Sequence, residues 1–149
     1  MGGMEIRHAH SADAPAVTGL LAQLGYPDNE VEDVRRRLER WERHPEGAAF
    51  VAMAGEGVVG VIAVVAIPLL EREGSVGRIV ALVVDETQRG TGVGRELVAT
   101  AEAEALRWGC GGMEVSSSRR RTGAHAFYRA RGYEDRCERS AKFFRELTA

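Results

Sequence analysis

Six residues, Arg89-Gly90-Thr91-Gly92-Val93-Gly94, have the types and spacing needed to hold an anion. An apolar run, Val80-Ala81-Leu82-Val83-Val84, precedes them and reads as a β-strand, and an amphipathic segment follows that reads as a helix. A glycine turn lets backbone N–H groups point inward and lets a ligand come close, while the helix behind it adds unpaired N–H groups and a partial positive charge. Each hydrogen bond to a charged group contributes roughly 1.5–3 kcal/mol. Four or five together outweigh the ordering of a short turn, at about 1–2 kcal/mol per residue, and can hold a diphosphate.

Spacing separates the known users of such a turn. A nucleoside-triphosphate loop needs four residues between its glycines and then Gly-Lys-Ser/Thr, but Gly94 is followed by Arg95-Glu96, with no hydroxyl for magnesium. A dinucleotide fingerprint needs a small residue three positions after Gly92, where Arg95 stands, and only about fifty-five residues remain to complete a doubly wound sheet.

Arg89-Gly90-Thr91-Gly92-Val93-Gly94 matches Gln/Arg-x-x-Gly-x-Gly/Ala, and in this it resembles the coenzyme A pyrophosphate loop of the GCN5-related N-acetyltransferase (GNAT) superfamily. A second segment, Ala124-His125-Ala126-Phe127-Tyr128-Arg129-Ala130-Arg131-Gly132-Tyr133, resembles the closing motif of the same superfamily, a Phe-Tyr helix ending at a glycine before an aromatic strand. The family tyrosine falls on Tyr128. Arg121 stands where the family often has an asparagine, seven residues earlier.

The resemblance implies an α/β fold: a mixed, mostly antiparallel sheet of six or seven strands flanked by about four helices, with two central strands splayed to admit coenzyme A. It implies acetyl-CoA as co-substrate, bound by the main chain of Leu82, Val83 and Val84 and by Arg89, Gly90, Thr91, Gly92, Val93, Gly94 and Arg95. The reaction implied is direct acetyl transfer to an amine in a ternary complex. An amine attacks a thioester only when uncharged, and the tetrahedral intermediate needs fixed donors, which a backbone amide at residues 82–84 would supply. The departing thiolate needs a proton, and a phenol with an ordinary pKa near 10 can supply it at neutral pH. Tyr128 is the residue assigned that role. Packing beside Phe127 and Tyr133 is the bland alternative.

With 149 residues the chain suits a single domain, 1–149, and its formal charge of −2 gives no global case for nucleic acid or an anionic membrane. Cys110 and Cys137 make no disulfide framework, and no Cys/His grouping suggests a metal; reduced thiols and the lack of a signal sequence indicate a cytoplasmic protein. Met4 reads as an alternative start, or Gly2-Gly3 as a cloning remnant. The apolar run 58–67 is too short to span a bilayer, which takes about twenty residues.

The elements follow in α/β order. Residues 4–9 read as a strand; Ser11 or Asp13 caps a helix with Pro15 in its first turn, carried by Val17, Leu20, Leu21 and Leu24 and stopped by Gly25-Tyr26-Pro27. A second helix starts near Asp28-Asn29 with Val31, Val34, Leu38 and Trp41 on its apolar side. Residues 48–54 and 58–67 form a hairpin about Gly55-Glu56-Gly57, and 77–84 lead into the glycine turn. Leu97, Val98, Ala101, Ala105 and Trp108 mark the next helix, 113–116 a short strand, 122–131 the tyrosine helix, and Tyr133 with 142–147 the closing strands.

Other polar groups admit two readings each. Glu30, Glu32, Asp33, Glu71 and Glu73 are either solvated charges or a general base and an attraction for a cationic amine. Arg119-Arg120-Arg121 either meets coenzyme phosphates or forms a solvated turn. Arg35-Arg36-Arg37 encircles its helix and makes no nucleic-acid face, and His125 reads as structural. The expected acceptor is a small-molecule amine, and a homodimer is expected from the family. The competing classes are a non-catalytic acyl-CoA sensor, an acetyltransferase acting on a protein or peptide amine, and an NAD-binding fragment.

Overall fold

The structure, a computed structural model, describes residues 4–118 and 120–148; Gly2-Gly3 and Arg119 lie outside the described residues. The chain divides into two compact units between Ser116 and Ser117.

In the first unit the order is β1 (Met4–His8), a 3-10 turn (Ser11–Asp13), α1 (Ala14–Leu24), α2 (Val31–Arg43), β2 (Gly47–Ala54), β3 (Gly57–Pro68), β4 (Ser75–Val84), a second 3-10 turn (Glu86–Gln88), α3 (Val93–Arg107) and β5 (Cys110–Val115). The strands form one sheet in sequence order, antiparallel from β1 to β4, with β5 parallel to β4. This is the expected mixed, mostly antiparallel architecture. No helix among the described residues is long and apolar enough to cross a membrane.

The two faces of the sheet bury different helices. Ala49, Val51, Val61, Ala63 and Val83 join Val17 and Leu20 of α1 and Val34 and Leu38 of α2 in one core. On the opposite face α3 lies close: a Cβ on Gly60 of β3 would stand 2.9 Å from Leu97 and 3.1 Å from Val93, so glycine here lets the helix settle near the strand without displacing those side chains.

The strand β4 changes phase partway along. Ala81 pairs with Ala63 and Ile79 with Val64, which leaves Val80 without a partner in β3 as a bulge. Side chains alternate between faces, so one extra residue moves everything beyond it to the other side. Hence Gly77 faces Ala105 of α3 while Val83 sits in the α1/α2 core.

The second unit has one helix, α4 (Thr122–Ala130), followed by turns and irregular backbone to residue 148. The expectation of six or seven strands is corrected to five among the described residues: neither Tyr133 nor 142–147 is a strand. The reason is visible in composition. Residues 134–139 are almost all charged, and Phe143-Phe144 breaks the apolar/polar alternation of a half-buried strand; Phe143, Phe144 and Leu147 are exposed.

The N-terminal expectation holds in position, with Asp13 as the N-cap residue of α1, and differs in contact. Asp13 makes no side-chain cap to α1. Its carboxylate instead accepts two hydrogen bonds from the Arg7 guanidinium, at 2.8 and 2.9 Å, and one from the His10 backbone N–H at 2.8 Å, tying β1 to the start of α1. The Arg7 hydrogen bonds hold the Asp13 carboxyl below its ordinary pKa of 3.8, against the opposing effect of burial. A depressed carboxyl adds stability above its unfolded-state pKa and loses it as pH falls through the folded-state value. Asp13→Asn is therefore expected to cost about 1–3 kcal/mol in urea unfolding at pH 7. The gap to wild type should close as pH drops below 3.8; a gap constant down to pH 3 would refute this role.

Candidate functional site

The end of β4 is where the backbone becomes available. Its parallel ladder with β5 ends at the Ile79–Val115 pair, one residue before the Val80 bulge, while its ladder with β3 continues to the Val84–Gly60 pair. Leu82, Val83 and Val84 therefore pair with Ile62, Val61 and Gly60 on one side and have no strand partner on the other among the described residues. That free edge can donate to and accept from an extended polar chain, as an added strand does.

Beyond Val84 the chain makes one 3-10 turn and then the glycine turn. Gly90 and Gly92 have φ of +81° and +93°, values that L side chains adopt at a cost of about 1–2 kcal/mol. Gly92 is the N-cap of α3 and no side chain caps that end; the first intrahelical bond runs from Glu96 N–H to Gly92 O at 3.1 Å. The N–H groups of Val93, Gly94 and Arg95 in the first turn are those an α-helix leaves without intrahelical acceptors, and the macrodipole adds positive potential there. Space is present as well: a Cβ built on Gly90 meets nothing within 4 Å, and one on Gly92 would stand 3.5 Å from an Arg95 guanidinium nitrogen. Arg95 thus overhangs the turn, and Arg89 Nε donates to Val84 O at 3.4 Å, across the junction with β4. The Thr91 hydroxyl donates to Gln88 O and braces the turn internally. The structure brings residues 82–84 and 89–95 together as one edge-and-turn element, and its chemistry fits a diphosphate followed by an amide-bearing arm.

Within the second unit, Tyr128 lies in the last turn of α4. The helix ends in a Schellman motif: Tyr133 N–H donates to Tyr128 O and Gly132 N–H to Arg129 O, both at 3.0 Å, with Gly132 at φ +91°. The accompanying side-chain contact is Tyr128 with Tyr133, centroids 5.8 Å apart, and Phe127 stands edge-on to Tyr128 at 5.4 Å. Burial raises the Tyr128 phenol above its ordinary pKa of 10, with the Arg121 charge pulling the other way. The phenol is therefore protonated at neutral pH. His125 Nε2 lies 2.8 Å from Ser118 O, fastening the preceding loop to the helix, as its structural reading requires.

Among the acids weighed for a base, Glu32 and Asp33 pair with Arg35 and Arg36 on α2, and Glu71 and Glu73 are exposed on the loop before β4. Arg120 and Arg121 are exposed. Two features escaped the sequence reading: the Val80 bulge, for which no residue type is diagnostic, and Gln23, which reaches the turn from α1. No group of three His, Cys, Asp or Glu side chains among the described residues could hold a metal.

Comparisons agree with this geometry. The model of the acetyltransferase (GNAT) family matches residues 14–133. The aminoalkylphosphonate N-acetyltransferase of Salmonella typhimurium (strain LT2) is 31% identical over 130 residues, 87% of this chain and 84% of that protein. Among solved structures, aminoglycoside N-acetyltransferase AAC(6')-Iy in complex with CoA superposes with a TM-score of 0.86 at 21% identity, covering 99% of this chain and 97% of that one. A transcriptional regulator from Bacillus halodurans C-125 superposes at 0.85 and 23% identity, covering 98% and 100%. At such identities the structures establish a shared fold.

Gly90→Val tests the turn. It should lower the affinity for coenzyme A at least tenfold by calorimetry and cost about 1–2 kcal/mol of stability through its positive φ. Unchanged affinity would show that the anion binds elsewhere.

Proposed function

This chain belongs to the acetyltransferase (GNAT) family, and on that premise we propose that it moves the acetyl group of acetyl-CoA to a primary amine of a small molecule, by direct transfer in a ternary complex. It is an acetyl-CoA-dependent N-acetyltransferase; the acceptor class and the roles of individual residues are our reading. The observation that carries it is the free edge of β4 running straight into a left-handed glycine turn and an uncapped helix.

In this reading, the amides of residues 90–95 and the guanidinium groups of Arg89 and Arg95 hold the diphosphate. The edge of Leu82, Val83 and Val84 pairs with the pantetheine arm, and one of its N–H groups polarises the acetyl carbonyl. A neutral amine attacks that carbon, the tetrahedral oxyanion leans on the same N–H, and the carbon–sulfur bond breaks as Tyr128 donates to the sulfur. The family match at 14–133 spans both compact units, which supports treating residues 1–149 as one functional domain. Two cysteines, Cys110 buried and Cys137 exposed and both free, suit a cytoplasmic enzyme. A homodimer is the assembly expected from the family.

A small amine is favoured over a protein because the Salmonella relative is named for an aminoalkylphosphonate. The deciding experiment is a panel of aminoalkylphosphonates, aminoglycosides, polyamines, amino acids and peptide N-termini, read by thiol release from acetyl-CoA. Turnover is expected with a small amine. Turnover with peptides alone would move the acceptor to protein, and silence throughout with acetyl-CoA bound would make the chain a sensor. Tyr128→Phe should retain acetyl-CoA binding and lower kcat by about 10²-fold or more; an unchanged kcat would remove Tyr128 from the chemistry.

A further inference from the structure

We propose that Gln23 is a positioning residue for the cofactor turn: its side-chain amide clamps the junction between β4 and the glycine turn, setting how tightly acetyl-CoA is held. The inference rests on the assignment of residues 89–95 to the cofactor and adds a residue from a helix that does not carry that motif.

Gln23 sits one residue before the end of α1, 62 residues from Asp85 in sequence. Its Nε2 donates to Asp85 Oδ2 at 3.3 Å, and its Oε1 accepts the Glu86 backbone N–H at 3.0 Å. One amide group therefore spans an acceptor and a donor on consecutive residues, which also fixes which end of the amide is oxygen. The other Asp85 oxygen accepts the Thr87 N–H at 2.9 Å and the Thr87 hydroxyl at 2.6 Å. The Asp85 backbone is fastened too: its N–H donates to Val59 O at 2.8 Å, and its carbonyl accepts from Gln88 N–H at 2.9 Å. The hydrogen bonds from Thr87, and then that from Gln23, hold the Asp85 carboxyl below its ordinary pKa of 3.8. Asp85 is thus a hub at the exit of β4, tied to β3 through its backbone and to α1 through Gln23.

The placement speaks for function over fold maintenance. Val17 and Leu20 already bury α1 in the core, whereas the Gln23 side chain lies at the surface, where a hydrogen bond adds little to global stability. The turn downstream is different. Gly90 and Gly92 have no side chains to anchor it, so between β4 and the packed start of α3 the entry to the turn depends on how firmly residues 85–88 are fixed.

The test uses the full chain and a reversal of polarity. Gln23→Met keeps the size and removes both hydrogen bonds; it should raise the KM for acetyl-CoA and the calorimetric Kd for coenzyme A about tenfold, with kcat within about twofold. The melting temperature should move by no more than about 2–4 °C. Gln23→Glu still accepts from Glu86 but sets a carboxylate against Asp85, and should weaken binding similarly. Adding Asp85→Asn gives the new glutamate a donor and leaves an acceptor for Thr87, so the pair Q23E/D85N should recover most of the affinity. Wild type that binds no coenzyme A would overturn the cofactor assignment and this inference with it. Wild type that binds, with Q23M binding equally well, would overturn the clamp alone, as would a Q23E/D85N pair no better than Q23E.

Discussion

The site depends on where β4 loses its second neighbour. Up to Ile79 the strand is paired on both sides; after the Val80 bulge it keeps only β3 among the described residues. A strand edge inside a sheet is normally satisfied, because unpaired N–H and C=O groups away from water are costly. Leaving this one free while holding its other edge rigidly gives backbone groups that are fixed in place and still available. The bulge lies just past the last pair with β5, and it returns Val83 to the α1/α2 core, which anchors the following segment from behind.

From that edge, the glycine turn follows with little further design. Glycines take the chain through positive φ, α3 begins uncapped, and α3 itself is held against the sheet by Leu97 and Val98, both buried, and by the closeness that Gly60 permits. The donors at the turn are rigid because the helix behind them is packed, and rigidity lets several N–H groups act together on one ligand. The second unit supplies a different kind of rigidity. There the Schellman closure and the tilted Tyr133 ring hold one phenol at a helix end.

Much of this was legible in residue order, and the failures share a cause. The glycine turn could be read because only glycine tolerates its backbone, and the Phe-Tyr helix because its terminating Gly132 sits where the Schellman geometry needs it. Residues 48–54 and 58–67 could be read as a hairpin from apolar runs about Gly55-Glu56-Gly57, and the strands observed are Gly47–Ala54 and Gly57–Pro68. The bulge could not, since any residue can stand at Val80 and the evidence for it lies in the pairing of two strands. Nor could the Asp13 contacts with Arg7, because an Asp before a helix reads equally as a cap. The apolar residues of segment 142–147 suggest a buried strand, whereas Phe143 and Phe144 are exposed. Gln23 is an ordinary residue on a helix surface whose partners lie more than sixty positions away. What the sequence showed well was backbone necessity; what it hid was side-chain partnership across elements.

Proton balance limits what Tyr128 can do in the proposed reaction. An ammonium acceptor must lose a proton before it attacks, and its nitrogen loses another as the amide forms; coenzyme A takes up one of the two. A phenol has an ordinary pKa of about 10 and a thiol about 8.5, so complete transfer from one to the other is uphill by roughly 2 kcal/mol. Burial of Tyr128 enlarges that gap, and the Arg121 charge offsets part of it. The phenol therefore works best as a hydrogen-bond donor that follows the charge on sulfur, its proton replaced as the nitrogen releases its own, with no free phenolate. The same burial has a benefit. It keeps the donor protonated at the alkaline pH where amines become neutral, so the two protonation states the reaction needs overlap over a wider range than an exposed tyrosine would allow.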